Sequence, residues 1–191
     1  AEKNGHLTLK NGTVDIQANS TVYTLLTAFD STSSLVIESG TYKSDKASNS
    51  LVYADGSKII TVNGGTFILG NVGTGNNGSP WIFNVAGNNT GHIIVNGGTF
   101  NADVMHQYWE FEVQSAEGTY VACVQKNEGE WTIVTAVAVV GEESTSSDGY
   151  IKWVGYATLA EAIAAAENGE TVKLIKDITV TDSDIFIPSC S

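Results

Sequence analysis

Apolar residues recur at every second position in four short segments of residues 1–100, and all four segments end alike. A Gly-Thr pair followed by an apolar or aromatic residue closes LTLKNGTV at 7–14, LVIESGTY at 35–42, ITVNGGTF at 60–67 and IIVNGGTF at 93–100. Alternation with period two predicts strands that have one buried face. The glycine predicts a bend with a left-handed backbone conformation. Each segment is therefore predicted to be a strand, a bend and the start of another strand.

A second apolar run lies between successive copies, namely TVYTLL at 21–26, SLVYAD at 50–55 and WIFNVA at 81–86. The threonines of the four copies, Thr13, Thr41, Thr66 and Thr99, are 28, 25 and 33 residues apart. Repeats of this length, which contain no helical pattern, favour a solenoid in which equivalent side chains stack. The prediction is an all-β right-handed parallel β-helix of about four coils, with Leu9, Ile37, Val62 and Val95 in one internal stack. An up-and-down β-sandwich is the alternative.

The pattern changes after residue 100. QYWEFEV, TYVACVQ and WTIVTAVAVV predict further strands, and a turn at 127–129 makes the last two an antiparallel hairpin. GEESTSSDG at 141–149 predicts a polar linker. The predicted organisation is thus 1–140 as β-helix coils with a closing β-hairpin, 141–149 as linker, and 150–191 as the beginning of a further unit.

The sequence of residues 150–191 predicts one short capping α-helix, followed by the first strands of the next β-helix unit. Thr158 is a good N-cap and Glu161 completes a capping box. Helix propensity continues to Glu167, and Gly169 is placed to end the helix. The residues predicted to face inward are Leu159, Ile163 and Ala166 on the helix and Val172, Leu174 and Ile178 on the strand, with Lys173 outward. We expect 150–191 to dock on an open coil end of its own or a neighbouring chain, which makes it a candidate for self-association.

Three stretches carry a resemblance to a known family. The VNGGTF repeats resemble coils of right-handed parallel β-helices in large bacterial surface proteins and adhesins. YATLAEAIAAAENGETVKLIKDITV at 156–180 resembles the segment that opens such a helix, and the stretch from GTFNAD to EGEWTIV resembles the segment that closes one. The resemblance implies a bacterial protein at the cell surface or outside the cell, in which this module is an adhesin or stalk segment for a glycan or host protein.

Charge and cysteine content narrow the expected partners. The net charge is −12 and none of the nine basic residues is arginine, so nucleic acid and anionic membranes are not expected partners. No apolar run reaches 18 residues, and no membrane insertion is expected. The two cysteines match no metal or redox spacing. Cys123 is predicted to be a buried free thiol on a strand, and Cys190 to be exposed.

Catalysis is not expected, although a carbohydrate-active β-helix, either a polysaccharide lyase or a glycoside hydrolase, is the alternative. Hydrolysis by two carboxylates requires acids that face one cleft. Glu110 and Glu112 share a strand face that is expected to point to solvent. Asp182 and Asp184 form a D-x-D loop, a weak candidate calcium site, and no other cofactor is expected. His6, His92 and His106 lack metal-ligand spacing, and the first two are expected at surface edges.

Binding is therefore the favoured activity. The longest step between repeats contains LGNVGTGNNGSPW at 69–81, and long loops on rigid scaffolds are common recognition sites. The candidate ligand-binding residues, which offer amides and one indole ring, are Asn71, Asn76, Asn77 and Trp81. A core position is the alternative for Trp81. Asn63 and Asn96 are predicted to stack as a buried ladder, and the threonine column to satisfy backbone groups at the bends or to form a flat ligand-facing row.

Overall fold

The computed structural model describes residues 4–16, 21–28, 32–55, 59–72, 80–86, 92–105, 113–114, 120–145 and 151–179, and the fold is mostly β with parallel sheets. Sheet A contains, in spatial order, β1 (His6–Leu9), β4 (Ser34–Ile37), β7 (Ile59–Val62), β10 (His92–Val95) and β12 (Val113–Gln114). Sheet C contains β3 (Val22–Ala28), β6 (Ala47–Ala54) and β9 (Trp81–Val85). The strands within each of these two sheets pair in parallel.

Sheet B is the largest of the three. One half consists of β2 (Thr13–Ile16), β5 (Thr41–Ser44), β8 (Thr66–Leu69) and β11 (Thr99–Phe100), all paired in parallel. The other half continues in the order β14 (Glu130–Thr135), β13 (Val121–Asn127), β16 (Ile151–Tyr156), β15 (Ala138–Thr145) and β17 (Thr171–Leu174). From β1 to β11 the chain passes through sheets A, B and C in a fixed order, as the repeat predicts. Neighbouring repeats pair in parallel, which an up-and-down sandwich does not do.

Equivalent residues of successive repeats lie opposite one another. Leu9 pairs with Ile37, Ile37 with Val62, and Val62 with Val95, so the predicted internal stack is confirmed. The residue after each threonine forms a second stack, in which the rings of Tyr42 and Phe67 are 5.2 Å apart. Phe100 continues that stack at 5.4 Å from Phe67. These apolar columns form the centre of the core.

The predicted glycine bends are also confirmed. Gly12, Gly40, Gly65 and Gly98 all have a positive φ, between 111° and 132°. Each bend lies close to the next one along the stack: the Thr66 N–H donates to the carbonyl oxygen of Gly40 at 2.8 Å. A Cβ at Gly40 would be only 2.9 Å from the carbonyl oxygen of Gly12. Glycine is required there by both the conformation and the spacing of successive bends.

The closing hairpin is confirmed as well. Strands β13 and β14 pair antiparallel around a turn in which Gly129 has a φ of +70°. Strand β14 is antiparallel to β11, so the parallel half of sheet B ends there.

The predicted linker at 141–149 is wrong for its first five residues, because β15 continues to Thr145 and pairs with β16 and β17. Gly141 pairs with strands on both sides and Thr145 pairs with Ile151 of β16, so strand pairing extends into this segment despite its polar composition.

Helix α1 (Leu159–Ala165) covers β15. Thr158 and Glu161 form the predicted capping box, but the helix ends at Ala165 and not at Glu167. Its most buried residue is Ala162, which packs with Ala138 and Val140 of β15 and was not among the predicted inward residues. Leu159 and Ala166 pack beside Ala162, whereas Ile163 is half-buried.

Strand β17 departs from its predicted alternation. Val172 is half-buried and Lys173 is exposed, as expected, but Leu174 is 48% exposed. Strand β17 is an edge strand of sheet B and has a neighbouring strand, β15, on one side only. Its side chains are buried only where they contact α1 or β15, and elsewhere they are exposed to solvent. The segment 151–174 therefore packs on its own chain at the far end of sheet B. At the opposite end, the edge strands β1, β2 and β3 expose Leu7, Val14 and Tyr23 by 42%, 38% and 58%.

Candidate functional site

The loop predicted to bind a ligand is only partly described. Asn71 lies in a turn after β8 and is exposed, whereas Asn76 and Asn77 lie outside the described residues. Trp81 begins β9 opposite Ser50 and is 7% exposed. The core interpretation of Trp81 is therefore confirmed. A ring buried to that degree does not offer a face on which a ligand can stack, so the structure does not place Trp81 with Asn71 at the surface.

Several predicted acids and one cysteine also lie outside the described residues. They are Glu110, Glu112, Asp182, Asp184 and Cys190, together with His106. Within the described ranges, no group of three or more His, Cys, Asp or Glu residues is arranged to hold a metal ion. The weak calcium candidate at Asp182 and Asp184 and the expected solvent-facing position of Glu110 and Glu112 stay predictions.

The two described histidines differ in environment. His6 is exposed, and its Nδ1 lies 2.8 Å from the Ser34 hydroxyl on the neighbouring strand. His92 is only 6% exposed, so its predicted surface position is wrong. It begins β10, which has β7 on one side and β12 on the other, whereas His6 begins the edge strand β1. The two histidines therefore occupy equivalent positions in the repeat but lie in different environments.

An asparagine ladder is present, but it is not buried. The Asn96 side-chain amide donates to the Asn63 oxygen at 3.0 Å, and the Asn63 amide donates to both carboxylate oxygens of Glu38 at 3.2 Å. Asn63 and Asn96 are both exposed. They follow sheet A strands at positions that point outward before the bend, so the stacking was predicted correctly and the burial was not.

The threonine column forms a straight row on the outer face of sheet B. Thr13, Thr41, Thr66 and Thr99 lie in register, and Thr132 of β14 lies opposite Thr99. The Thr132 hydroxyl donates to the Gly98 carbonyl oxygen at 3.1 Å. Beside this row lie the Lys43–Asp15 ion pair, at 2.8 Å, and Ile68, which is 41% exposed. The row therefore satisfies a bend carbonyl at its end, and elsewhere it presents a regular polar surface.

A cleft of about 410 Å³ lies between the closing hairpin and the segment that leads into α1. Its lining comes from four separate stretches of chain, namely Asp103, then Cys123, Val124 and Gln125, then Trp131, and finally Tyr156, Ala157 and Glu161. Its volume is within the range usual for small-molecule sites. No pattern in the sequence indicates this cleft.

Local structure holds the polar groups of the cleft in place. Asp103 follows β11, and its Oδ1 accepts the Met105 N–H at 2.9 Å. The Glu161 carboxylate accepts the Thr158 N–H at 3.0 Å in the capping box, where the Thr158 hydroxyl accepts the Glu161 N–H at 3.2 Å. Gln125 lies directly opposite Trp131 in the antiparallel hairpin. Gln125 is thus held on a paired strand and Glu161 on a capped helix, and Asp103 is oriented by its bond to the Met105 N–H.

The electrostatics of the cleft are acidic. Burial raises the pKa of Cys123 to about 12, and the nearby Asp103 carboxylate adds to this effect. The thiol is therefore protonated at neutral pH and is a poor nucleophile. Burial also raises the pKa of Tyr156, followed by the negative charges of Glu170 and Asp103. Among the described residues that line the cleft there is no Lys, Arg or His.

The cleft exists because two distant segments approach each other very closely. Ala122 of β13 pairs in parallel with Gly155 of β16, and a Cβ on Gly155 would collide with the Val121 carbonyl oxygen. A glycine within a strand often indicates such an approach. Gly155 was therefore the one signal in the sequence that could have indicated the contact, but it does not say which strand approaches.

Comparison of the chain with protein-family models, with curated proteins and with solved structures found no match. Within the described residues, α1 is seven residues long, and no helix there has the length and apolarity to cross a membrane.

Proposed function

We propose that the chain is a non-enzymatic module of a bacterial cell-surface protein, an adhesin or stalk segment built as a right-handed parallel β-helix of about four coils. The observation that carries this proposal is the register of the repeats. Equivalent residues stack from one repeat to the next in sheets A and B, and the chain returns to the three sheets in constant order. Right-handed crossovers are the rule between parallel strands of one sheet.

A stack of this kind suits a stalk because each repeat contacts mainly its neighbours. It lengthens by about 4.8 Å for every added strand layer. The exposed apolar residues on β1, β2 and β3, together with Leu174 on β17, lie at opposite ends of the sheets. Unpaired strand edges with apolar side chains favour contact with further coils. We therefore include end-to-end association with like units, involving 150–191, in the proposal.

The partner proposed for this module is a glycan or a host surface protein. Loops on a rigid scaffold supply recognition surfaces, and the exposed Asn71 belongs to the longest loop of the repeat region. The acidic, arginine-free composition favours neutral partners over polyanions.

The purified chain should be applied to an array of neutral and acidic glycans and to host cells, with a parallel assay for new reducing ends. The expected result is binding without cleavage. Release of reducing ends or of unsaturated products would instead identify a carbohydrate-active enzyme. Antibody labelling of intact cells of the source organism tests the surface location, and labelling only after lysis would contradict it.

A further inference from the structure

We infer that the cleft between the β13–β14 hairpin and the start of α1 binds a neutral sugar residue of a glycan. This site is separate from the 69–81 loop. It stands whether or not the chain is a surface stalk, because its chemistry comes from the lining of the cleft alone.

The aromatic residues supply the first part of the argument. Trp131 and Tyr156 line the cleft from different elements, and both are half-buried. Each ring is therefore anchored in the protein and keeps part of its surface open to the cleft. Aromatic side chains of this kind combine a large apolar face with a polar end. The C–H face of a pyranose ring is apolar and matches such a surface.

The hydrogen-bonding groups supply the second part. The carboxylates of Asp103 and Glu161 and the amide of Gln125 line the same cleft. One oxygen of each carboxylate already accepts a backbone N–H, which fixes its orientation. Ionised carboxylates only accept hydrogen bonds, and an amide both donates and accepts. Sugar hydroxyl groups are donors as well as acceptors, so they can bond to all three side chains.

Charge selects the kind of sugar. None of the described lining residues is cationic, and the whole chain has a net charge of −12. Uronic and sialic acids would bring a carboxylate toward two carboxylates, which costs binding energy. Glu161 is exposed and screened by water, and a neutral hydroxylated ligand donates hydrogen bonds to carboxylates without bringing a further negative charge. A small cationic amine is the ligand that the test must distinguish from it.

The cleft is also held in shape before a ligand arrives. Its two sides are joined by the close pairing of Gly155 with Ala122, and α1 is fixed by its capping box. A site built on paired strands loses little freedom when it binds, which favours measurable affinity from few contacts.

The experiment is saturation-transfer NMR and calorimetry on the full chain with three probes: neutral gluco-, xylo- and manno-oligosaccharides, oligogalacturonate, and a primary alkylammonium salt. We expect one neutral oligosaccharide to bind with a Kd below about 10 mM and the acidic one to bind at least about tenfold more weakly. Binding of the ammonium salt without any neutral sugar would show a cation site and overturn the proposal, as would the absence of all binding.

Three variants, one of them a control, locate the binding within the molecule. Gln125→Ala removes an amide from the cleft, and Lys126→Ala changes the next residue of β13, which is exposed and does not line the cleft. We expect about a tenfold loss of affinity for Gln125→Ala and none for Lys126→Ala. Tyr156→Phe, which keeps the ring and loses the hydroxyl, should weaken binding severalfold. Equal affinities in all four proteins, each shown to be folded by its melting curve, would place the sugar elsewhere and contradict the inference.

Discussion

The repeat region, β1 to β11, and the C-terminal region, β13 to β17 with α1, both contribute to sheet B but are built in different ways. In the repeat region, equivalent residues of neighbouring repeats pair with each other: Thr66 with Thr41, and Phe67 with Tyr42. In the C-terminal region, unlike segments pair, mostly antiparallel, and the rings and carboxylates that meet in the cleft come from separate stretches. A repeated sequence therefore reveals its own contacts, whereas a non-repeated one does not.

The largest loss of stability is expected when a side chain is removed from the stacked core of the repeat region. Phe67 is fully buried and its ring lies within 5.4 Å of Phe83 and Phe100, while its neighbour Ile68 is 41% exposed on the outer face. Phe67→Ala should lower the free energy of unfolding by about 3–5 kcal/mol, because it leaves a cavity in the aromatic stack. Ile68→Ala should cost less than about 1 kcal/mol. Urea unfolding measures both, and equal losses would mean that the stack is not the core.

The second prediction concerns the contact between the two regions of the molecule. A side chain on Gly155 would collide with the Val121 carbonyl oxygen, so Gly155→Ala must push β16 away from β13. We expect a loss of about 1–3 kcal/mol, as for other overpacked sites. Hydrogen exchange should increase in 138–145 and 151–174 and stay unchanged in 34–69.

Gly169→Ala is the matched control for that change. Gly169 has a φ of +94° and nothing within 4 Å of an added Cβ, so only local backbone strain is introduced. Its effect should be confined to the turn after α1 and be about 1 kcal/mol at most. Faster exchange throughout both regions in Gly155→Ala would show that they unfold as one unit, contrary to the prediction.

The repeat explains why so much of the parallel region could be predicted. Four copies locate the bends, the inward residues and their partners at once, since a residue such as Val62 must stack on its equivalents Ile37 and Val95. Burial at the edges of the pattern could not be predicted in this way. His6 and His92 occupy equivalent places, yet only the second has strands on both sides. The Asn63 ladder likewise depends on which side of the bend meets solvent.

The cleft could not be predicted because its contacts are not repeated. The capping box at Thr158 and Glu161 is local and was visible in the sequence. The approach of Gly155 to Val121 spans 34 positions between unlike strands, and no pattern specifies that pairing. Local signals thus predict elements such as the helix that bears Glu161, and repeats predict stacking, but neither predicts which segments meet in the cleft.

The third prediction uses the buried thiol to report on the C-terminal region. The pKa of Cys123 is raised from 9.0 to about 12, so the folded state keeps a proton that the unfolded state loses. Its contribution to stability is complete below pH 9 and is lost as the pH rises from 9 toward 12. Between pH 7 and pH 10 we expect the Cys123 contribution alone to lower the free energy of unfolding by about 1 kcal/mol.

Cys123→Ala removes this dependence. The free energy of unfolding of the variant should therefore change less between pH 7 and pH 10 than that of the wild-type protein, whatever the variant's absolute stability. Urea unfolding at each pH gives the comparison. A native protein whose thiol reacts with a labelling reagent as fast as the unfolded chain does would contradict the burial of Cys123. Identical pH slopes for the two proteins would show that the thiol does not titrate differently in the folded state.

The smallest expected effect is on the exposed ladder of the repeat region. Asn63→Ala removes its hydrogen bonds to Glu38 and Asn96 but leaves the stacked core untouched. Exposed hydrogen bonds compete with water, so we expect a loss of about 0.5 kcal/mol in urea unfolding. Asn71→Ala, at an exposed turn position, is the control and should be neutral. A loss above about 2 kcal/mol for Asn63→Ala would mean that the ladder, and not the apolar column behind it, holds neighbouring repeats together.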